Sequence, residues 1–286
     1  MKFLAIIEAT IREGIARKTI LGMFIVSTIA IIIAVLLFQM DVVQHGLLSP
    51  AASHIKVQNG HATSQPPPAS MLGMTVLDGV WMVISSMLLF ICVFLGVFVT
   101  AGFITSLMEK GSIDLLLSKP VSRWTYIAGR YTGSVLIILA EVAYLVLGLW
   151  LVAGLSLGSW NAGFLGSIIT ITLAFAGVYS LVTLFGVLTR SSWFAIIIGL
   201  ALYIFAAFVI PLGQFIDKLI NGEPSKGILS TVATGLHYIV PSQEMGKVIS
   251  SEILGKDLDF VPLFLTAGLC IVYIGISCFA FSKKEF

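Results

Sequence analysis

Charge is scarce in this sequence, and it is missing by region. Of 286 residues, ten per cent are Asp, Glu, Lys or Arg, while fifty-eight per cent are apolar. The mean hydropathy is +1.06. A soluble domain of that composition would expose large apolar patches and aggregate, which excludes the ordinary globular class. No charged residue occurs between Lys18 and Asp41, between Asp78 and Glu109, between Arg190 and Asp217, or between Asp259 and Lys283. Between Arg130 and Arg190 the only one is Glu141. Cysteine is also scarce. Cys92, Cys270 and Cys278 all fall inside these uncharged runs without a C-x-x-C pair, so a disulfide framework is excluded and they read as small apolar packing residues. No G-x-x-x-x-G-K-[ST] phosphate loop is present. Gly246-Lys247, the nearest fragment, lacks both the upstream glycine and the hydroxyl residue, so ATP hydrolysis by this chain alone is not expected.

The uncharged runs themselves are the positive signal. A membrane-spanning helix needs roughly 20 apolar residues. Four of the runs hold one such helix each, and the run from Arg130 to Arg190 holds two, turning at Gly154-Leu155-Ser156-Leu157-Gly158-Ser159. The expected architecture is an all-α integral membrane protein, a single domain over 1–286. Its six spans lie near 19–39, 80–104, 127–153, 164–188, 193–213 and 261–281, with outer loops at 40–79 and 214–260. The first apolar run is too long for the h-region of a cleaved signal peptide and reads as a retained span.

Basic residues orient these spans. With the N-terminus inside, only Lys56, Lys218, Lys226, Lys247 and Lys256 of the 16 basic residues lie outside, four of them in one long loop where the positive-inside bias is weak. That distribution, with an even number of spans, predicts a multi-pass protein of the plasma (inner) membrane with both termini cytoplasmic. It also gives the basic residues an ordinary role at the lipid surface, with no sign of nucleic acid.

Before the first span, Phe3, Ile7, Ile11 and Ile15 repeat every four residues beside Lys2, Glu8, Arg12 and Glu13. This is an amphipathic helix suited to the cytoplasmic membrane surface, the alternative being a cytoplasmic extension of the first span. The first outer loop, with Asn59-Gly60 and Pro66-Pro67-Pro68, has little periodicity and is assigned no firm structure. In the second, Val232–Tyr238 and Met245–Leu254 have the pattern of short helices on either side of Pro241.

Four features invite a chemical reading. Gly154-Leu155-Ser156-Leu157-Gly158 matches the G-x-S-x-G nucleophile elbow, and Ser156 with His237 would serve an intramembrane hydrolase. A tight turn of small residues explains the motif better, and no catalytic residue is assigned. His45, His54 and His61, near Met40, Met71 and Met74, could suit a soft metal, but they form no His-x-His pair and read as solvated loop residues; no metal or cofactor is assigned to this chain. Glu141 falls at mid-span, where an exposed carboxylate costs roughly 2.5–3.5 kcal/mol, so it should face the bundle interior. There it would either line a polar patch used by substrate or in gating, or bond a hydroxyl such as Thr172, Tyr179 or Tyr144. Gly129 and Gly133 make a small-xxx-small notch that admits a close neighbour. The five tryptophans, Trp81, Trp124, Trp150, Trp160 and Trp193, fall near span ends, as interfacial aromatic belts do.

The most specific segment joins the second and third spans. It runs from Glu109 through Lys110, Gly111, Ser112, Ile113, Asp114, Leu116, Leu117 and Pro120 to Val121-Ser122-Arg123. Ser112 can cap a short helix, Asp114 suits its positive end, and Pro120 stops it. The segment is too charged to span and too leucine-rich for a bare loop.

This segment resembles ABC exporter permeases of the type-2 class, which carry E-x-G-[ST]-[IL]-[DE]-x-L-L-x-x-P-[VI]-[SP]-R at this place. The resemblance extends to the amphipathic start, the six-span layout and the long loop before the last span. It implies a coupling helix at 109–123 that docks in a groove of a separate cytoplasmic ABC ATPase subunit, with ATP and Mg bound on that partner. It also implies a second permease copy, as a homodimer or pseudo-dimer, embedded in membrane lipid. An alternative within the class is a subunit that transmits ATPase-driven motion to an extracytoplasmic protein gripping the outer loops.

Overall fold

The computed structural model describes residues 2–39, 76–105, 122–221 and 235–283, apart from short gaps at 17, 158–159, 190, 237–238, 242–243 and 256–258, together with the pairs 57–58 and 61–62. Its helices are α1 (Lys2–Ala16), α2 (Lys18–Gln39), α3 (Val76–Thr105), α4 (Arg123–Leu157), α5 (Gly163–Thr189), α6 (Ser192–Asn221), α7 (Met245–Leu254) and α8 (Val261–Lys283). Between α2 and α3, β1 (Val57–Gln58) pairs antiparallel with β2 (His61–Ala62), Val57 opposite Ala62 and Gln58 opposite His61. The intervening sequence is Asn59-Gly60, the dipeptide favoured in two-residue hairpin loops. Periodicity alone gave no structure there, because a two-residue strand carries none.

Five helices, α3, α4, α5, α6 and α8, are long and apolar enough to cross a membrane. The pair α1 and α2, bent by 66°, brings the number up to six if counted as one span. The protein is therefore an all-α multi-pass membrane protein. The 66° bend also means that α1 is not a straight extension of α2.

The bundle is organised around α5, which packs against α3, α4, α6, α7 and α8. Its sequence explains why. Gly166, Ser167, Thr170, Ala174, Ala176, Gly177, Ser180 and Thr183 are small and let neighbouring helices approach closely, the principal source of helix association where lipid removes the hydrophobic drive. Three of the hydroxyls are satisfied inside their own helix: Ser167 donates to the Phe164 carbonyl at 2.6 Å, Ser180 to Gly177 at 2.6 Å and Thr183 to Tyr179 at 2.8 Å. Longer groups tie α5 across to its neighbours. Tyr131 Oη on α4 donates to the Ala176 carbonyl at 2.7 Å, and the single Tyr179 hydroxyl proton is within reach of both the Thr100 carbonyl on α3 at 3.0 Å and Ser134 Oγ on α4 at 3.1 Å. The rings of Tyr131 and Tyr179 stack at 5.5 Å. Each buried hydroxyl of this seam has a partner, as a dry interior requires.

Two expectations are corrected here. Gly154 to Leu157 do not turn; they continue α4, and a side chain at Gly154 would sit 2.7 Å from the Trp160 ring. The glycine makes room for Trp160, which meets Trp150 edge-on at 4.7 Å. Ser156 is thus helical, without the strand–turn–helix strain of a nucleophile elbow, and His237 lies outside the described residues. Trp81 is no interfacial belt residue either. It is buried, its ring 4.5 Å from Phe164.

Candidate functional site

Three polar places interrupt the apolar bundle, at one end, at the middle and at the other end of α4. The first lies where α4 begins. Residues 109–121, with Glu109, Lys110, Gly111, Ser112, Asp114, Leu116, Leu117 and Pro120, lie outside the described residues, and of Arg123 only its place at the first position of α4 is described. Ser122 caps that helix: its Oγ accepts from the Thr125 amide at 3.2 Å and lies 2.5 Å from Thr125 Oγ1.

Within three turns of that cap, α1 is docked. A side chain at Gly129 would meet Ile6 at 2.8 Å, and one at Gly133 would meet Thr10 at 2.8 Å, so the glycine notch is filled by α1. Arg130, between the two glycines, forms an ion pair with Glu13 of α1 and donates to Tyr126 Oη at 3.3 Å. The face of α1 that packs is Ile6, Thr10 and Gly14. The apolar stripe Phe3, Ile7, Ile11 and Ile15, expected at the membrane surface, lies beside this packed face, with Phe3 and Ile15 exposed and Ile7 and Ile11 half-buried. Small residues set the close approach, while Leu4 and Ile15 remain exposed.

The second place is Glu141, which is 3% exposed. Its partner is none of Thr172, Tyr179 or Tyr144. Ser27 Oγ on α2 donates to Glu141 Oε1 at 2.5 Å. Thr172 is engaged with the Ile168 carbonyl, Tyr179 with Thr100 and Ser134, and Tyr144 with Thr28 of α2 at 3.0 Å. Among the described residues Glu141 Oε2 is buried with no hydrogen-bond partner, and the Cys92 thiol of α3 is its electrostatic neighbour. Beside this contact Phe24 and Tyr144 pack at 5.4 Å, and Ile31 fills the space over Gly148. Together these contacts form the seam by which α2 is held to α4.

The third place, at the opposite end of α4 from α1, centres on two residues that sequence reasoning missed. Asn161 accepts the Gly163 amide on Oδ1 at 2.9 Å, capping α5, and donates from Nδ2 to the Ile253 carbonyl at 3.1 Å, near the C-terminus of α7. Its own carbonyl accepts from Trp150 Nε1 at 3.0 Å. Glu252 of α7 accepts from Thr170 Oγ1 on α5 at 2.8 Å through Oε1, while Oε2 is buried without a partner among the described residues. A side chain at Gly166 would sit 3.1 Å from its carboxyl carbon. Burial pushes the Glu252 carboxyl above its ordinary value, more than the Thr170 hydrogen bond lowers it. The pattern Asn-x-Gly ahead of an apolar run was the available signal for the cap. Nothing in the sequence distinguishes Glu252 from the other acids of its loop.

Among the described residues the arrangement offers no nucleophile–base pair. What it does offer is a set of polar ties between helices in a bundle otherwise held by shape. The family model described as ABC-2 family transporter protein matches residues 4–286. No curated protein matches the chain.

Proposed function

The chain belongs to the ABC-2 transporter family, as a membrane permease subunit of an ABC transporter and not an enzyme, and on that premise we propose that it is the permease of an ATP-driven exporter whose ATPase is a separate polypeptide. Two permeases and two ATPases form the working unit in the plasma membrane, with the termini of the permease cytoplasmic. Closure of the ATPase dimer pushes on residues 109–123.

The observation that carries this reading is the packing immediately downstream of that segment. Ser122 is the cap of α4, so a displacement of residues 109–121 enters the first turn of α4 directly. The Gly129–Gly133 notch and the Glu13–Arg130 pair pass it to α1. From α1 it reaches α2 across the 66° bend, and α2 is tied back to α4 by Ser27 and Glu141. Motion at the coupling segment is thereby spread over the first and third spans.

The test is the coupling segment itself. Leu116 and Leu117 are the paired leucines of the segment proposed to dock in the ATPase groove. Truncating one buried anchor at such an interface costs roughly 2 kcal/mol or more, and rim charges cost less. Leu116→Asp or Leu117→Asp should release the ATPase or uncouple its hydrolysis, and a change at Lys110 should be milder. Full co-purification and full coupled activity in the Asp variants would remove residues 109–123 as the coupling element.

A further inference from the structure

Resting on the export reading, which puts α7 on the extracytoplasmic side, we propose that Glu252 is a proton-operated latch: uncharged it seats in the Gly163–Gly166 notch and holds α7 against α5, and ionised it leaves the notch and frees α7.

The helix has the build of a lid. Met245, Val248, Ile249 and Ile253 are buried beneath it, against the ends of α3 and α5, while Lys247 faces outward. Its C-terminus is closed by Gly255, at φ 60°, whose amide bonds the Glu252 carbonyl. Three kinds of contact hold it down: the apolar underside, the Asn161 amide on the Ile253 carbonyl, and Glu252 on Thr170. The first two are indifferent to pH. Glu252 is the titratable one.

Its surroundings favour the neutral form while the lid is closed. Among the described residues only Oε1 has a donor, and Oε2 is buried without one. An ionised carboxylate left in that state loses hydration that nothing replaces. No cation compensates among the described residues. On α5, Gly166 and Thr170 face the carboxyl group and Gly163 meets the Glu252 backbone carbonyl, and α3 presents no charged side chain from Trp81 onward. On α7 itself the one cation, Lys247, is exposed and paired with Glu244 at 2.6 Å. Ahead of α8, Asp259 is occupied in accepting the Val261 amide at 3.0 Å, and Lys283 lies over Phe279 at the far end of that helix. The carboxyl group also lies close over Gly166, where a Cβ would stand 3.1 Å from its carbon and the group would have to give by a few tenths of an ångström.

The linkage has a definite sign. Burial raises the proton affinity of Glu252 in the closed state, whereas a freed Glu252 titrates as an ordinary carboxylate. Closure is therefore fully supported below the ordinary carboxylate range, and the support is lost as pH rises through the elevated value. Between the two values one proton is released per lid opened.

Thiol accessibility in purified full-length protein in nanodiscs, where both faces are open to reagent, reads this without ATPase activity or topology. Val248→Cys, or Ile249→Cys as a second reporter, reacts with a maleimide only when α7 lifts, and Lys247→Cys on the same helix corrects for thiol ionisation. The native cysteines are buried. The corrected rate should climb with pH above the ordinary carboxylate range by up to about tenfold per unit, then level off. In Glu252→Gln it should stay low and flat. A flat corrected rate with native Glu252, or the same rise in Glu252→Gln, overturns the latch. Failure of Lys247→Cys to label in intact cells with an impermeant reagent would overturn the outward placement of α7 and with it the export topology, a separate outcome from the latch itself.

Discussion

Ser27 and Glu141 meet at 2.5 Å across the seam between α2 and α4, and the second carboxyl oxygen of Glu141 has no partner among the described residues. The contact is half-satisfied, and that makes it sensitive to which side is removed. Ser27→Ala strips Glu141 of its one donor inside a low-dielectric bundle and should destabilise by about 1–3 kcal/mol. Glu141→Leu removes the buried polar group altogether, so Ser27→Ala should cost much less in that background. A double-mutant cycle on unfolding in nanodiscs should give a coupling energy of about 0.6–1.7 kcal/mol, the range of hydrogen bonds between membrane helices. A coupling near zero would mean that Ser27 does not hold α2 in place.

The docking of α1 is set by the two glycines on α4. A leucine at Gly133 must overlap Thr10, whose Cβ lies 2.8 Å from where its own Cβ would be. Gly133→Leu should therefore displace α1 at a cost of about 1–3 kcal/mol and expose residues 2–16 to hydrogen exchange. At Gly22 of α2 nothing lies within 4 Å, so Gly22→Leu should leave that exchange unchanged. Equal effects from the two substitutions would remove the notch as the determinant.

These residues also mark where sequence reasoning succeeds and where it stops. The long uncharged runs locate the membrane helices because twenty apolar residues admit few other fates in a chain of this size. Gly129 and Gly133 are legible as a notch, yet which helix fills it is a tertiary fact. On α1 the apolar repeat is legible as a membrane-surface pattern, but the face that packs on α4, built on Ile6, Thr10 and Gly14, is not, since backbone proximity and not side-chain apolarity decides that contact. Gly154 has the look of a turn and proves to be a bay for Trp160. Glu252 lies near Lys256, Asp257 and Asp259 in sequence, and its burial depends wholly on a fold-back of α7 that local pattern does not encode.

Orientation follows from the charge asymmetry and has its own measurement. Cysteines placed by Ser64→Cys and Ser225→Cys should react with an impermeant thiol reagent in intact cells, and one placed by Ser112→Cys should react only after permeabilisation. The native cysteines are buried and provide little background. Labelling of Ser112→Cys in intact cells would reverse the orientation and place residues 109–123 away from any cytoplasmic ATPase.

The Asn161 amide joins two helix termini, and its two halves can be separated by substitution. Oδ1 caps α5 through the Gly163 amide, and Nδ2 serves the Ile253 carbonyl near the end of α7. Asn161→Asp retains the cap, and its charge suits the positive end of α5. It loses the donor to Ile253 and sets an anion against the negative end of α7. Asn161→Ala loses both functions, each worth about 1 kcal/mol. Hydrogen exchange should therefore distinguish three states. In the native protein both 163–167 and 245–254 are protected. In Asn161→Asp protection should fall in 245–254 alone, by a factor of about 5–30 for the one to two kcal/mol at stake. In Asn161→Ala it should fall in both segments. The Trp150 contact uses the backbone carbonyl of Asn161 and should survive either change, so the α4–α5 connection serves as an internal control. Loss of protection at 163–167 in Asn161→Asp would show that the cap and the tie to α7 are not separable, and that α5 depends on α7 for its start.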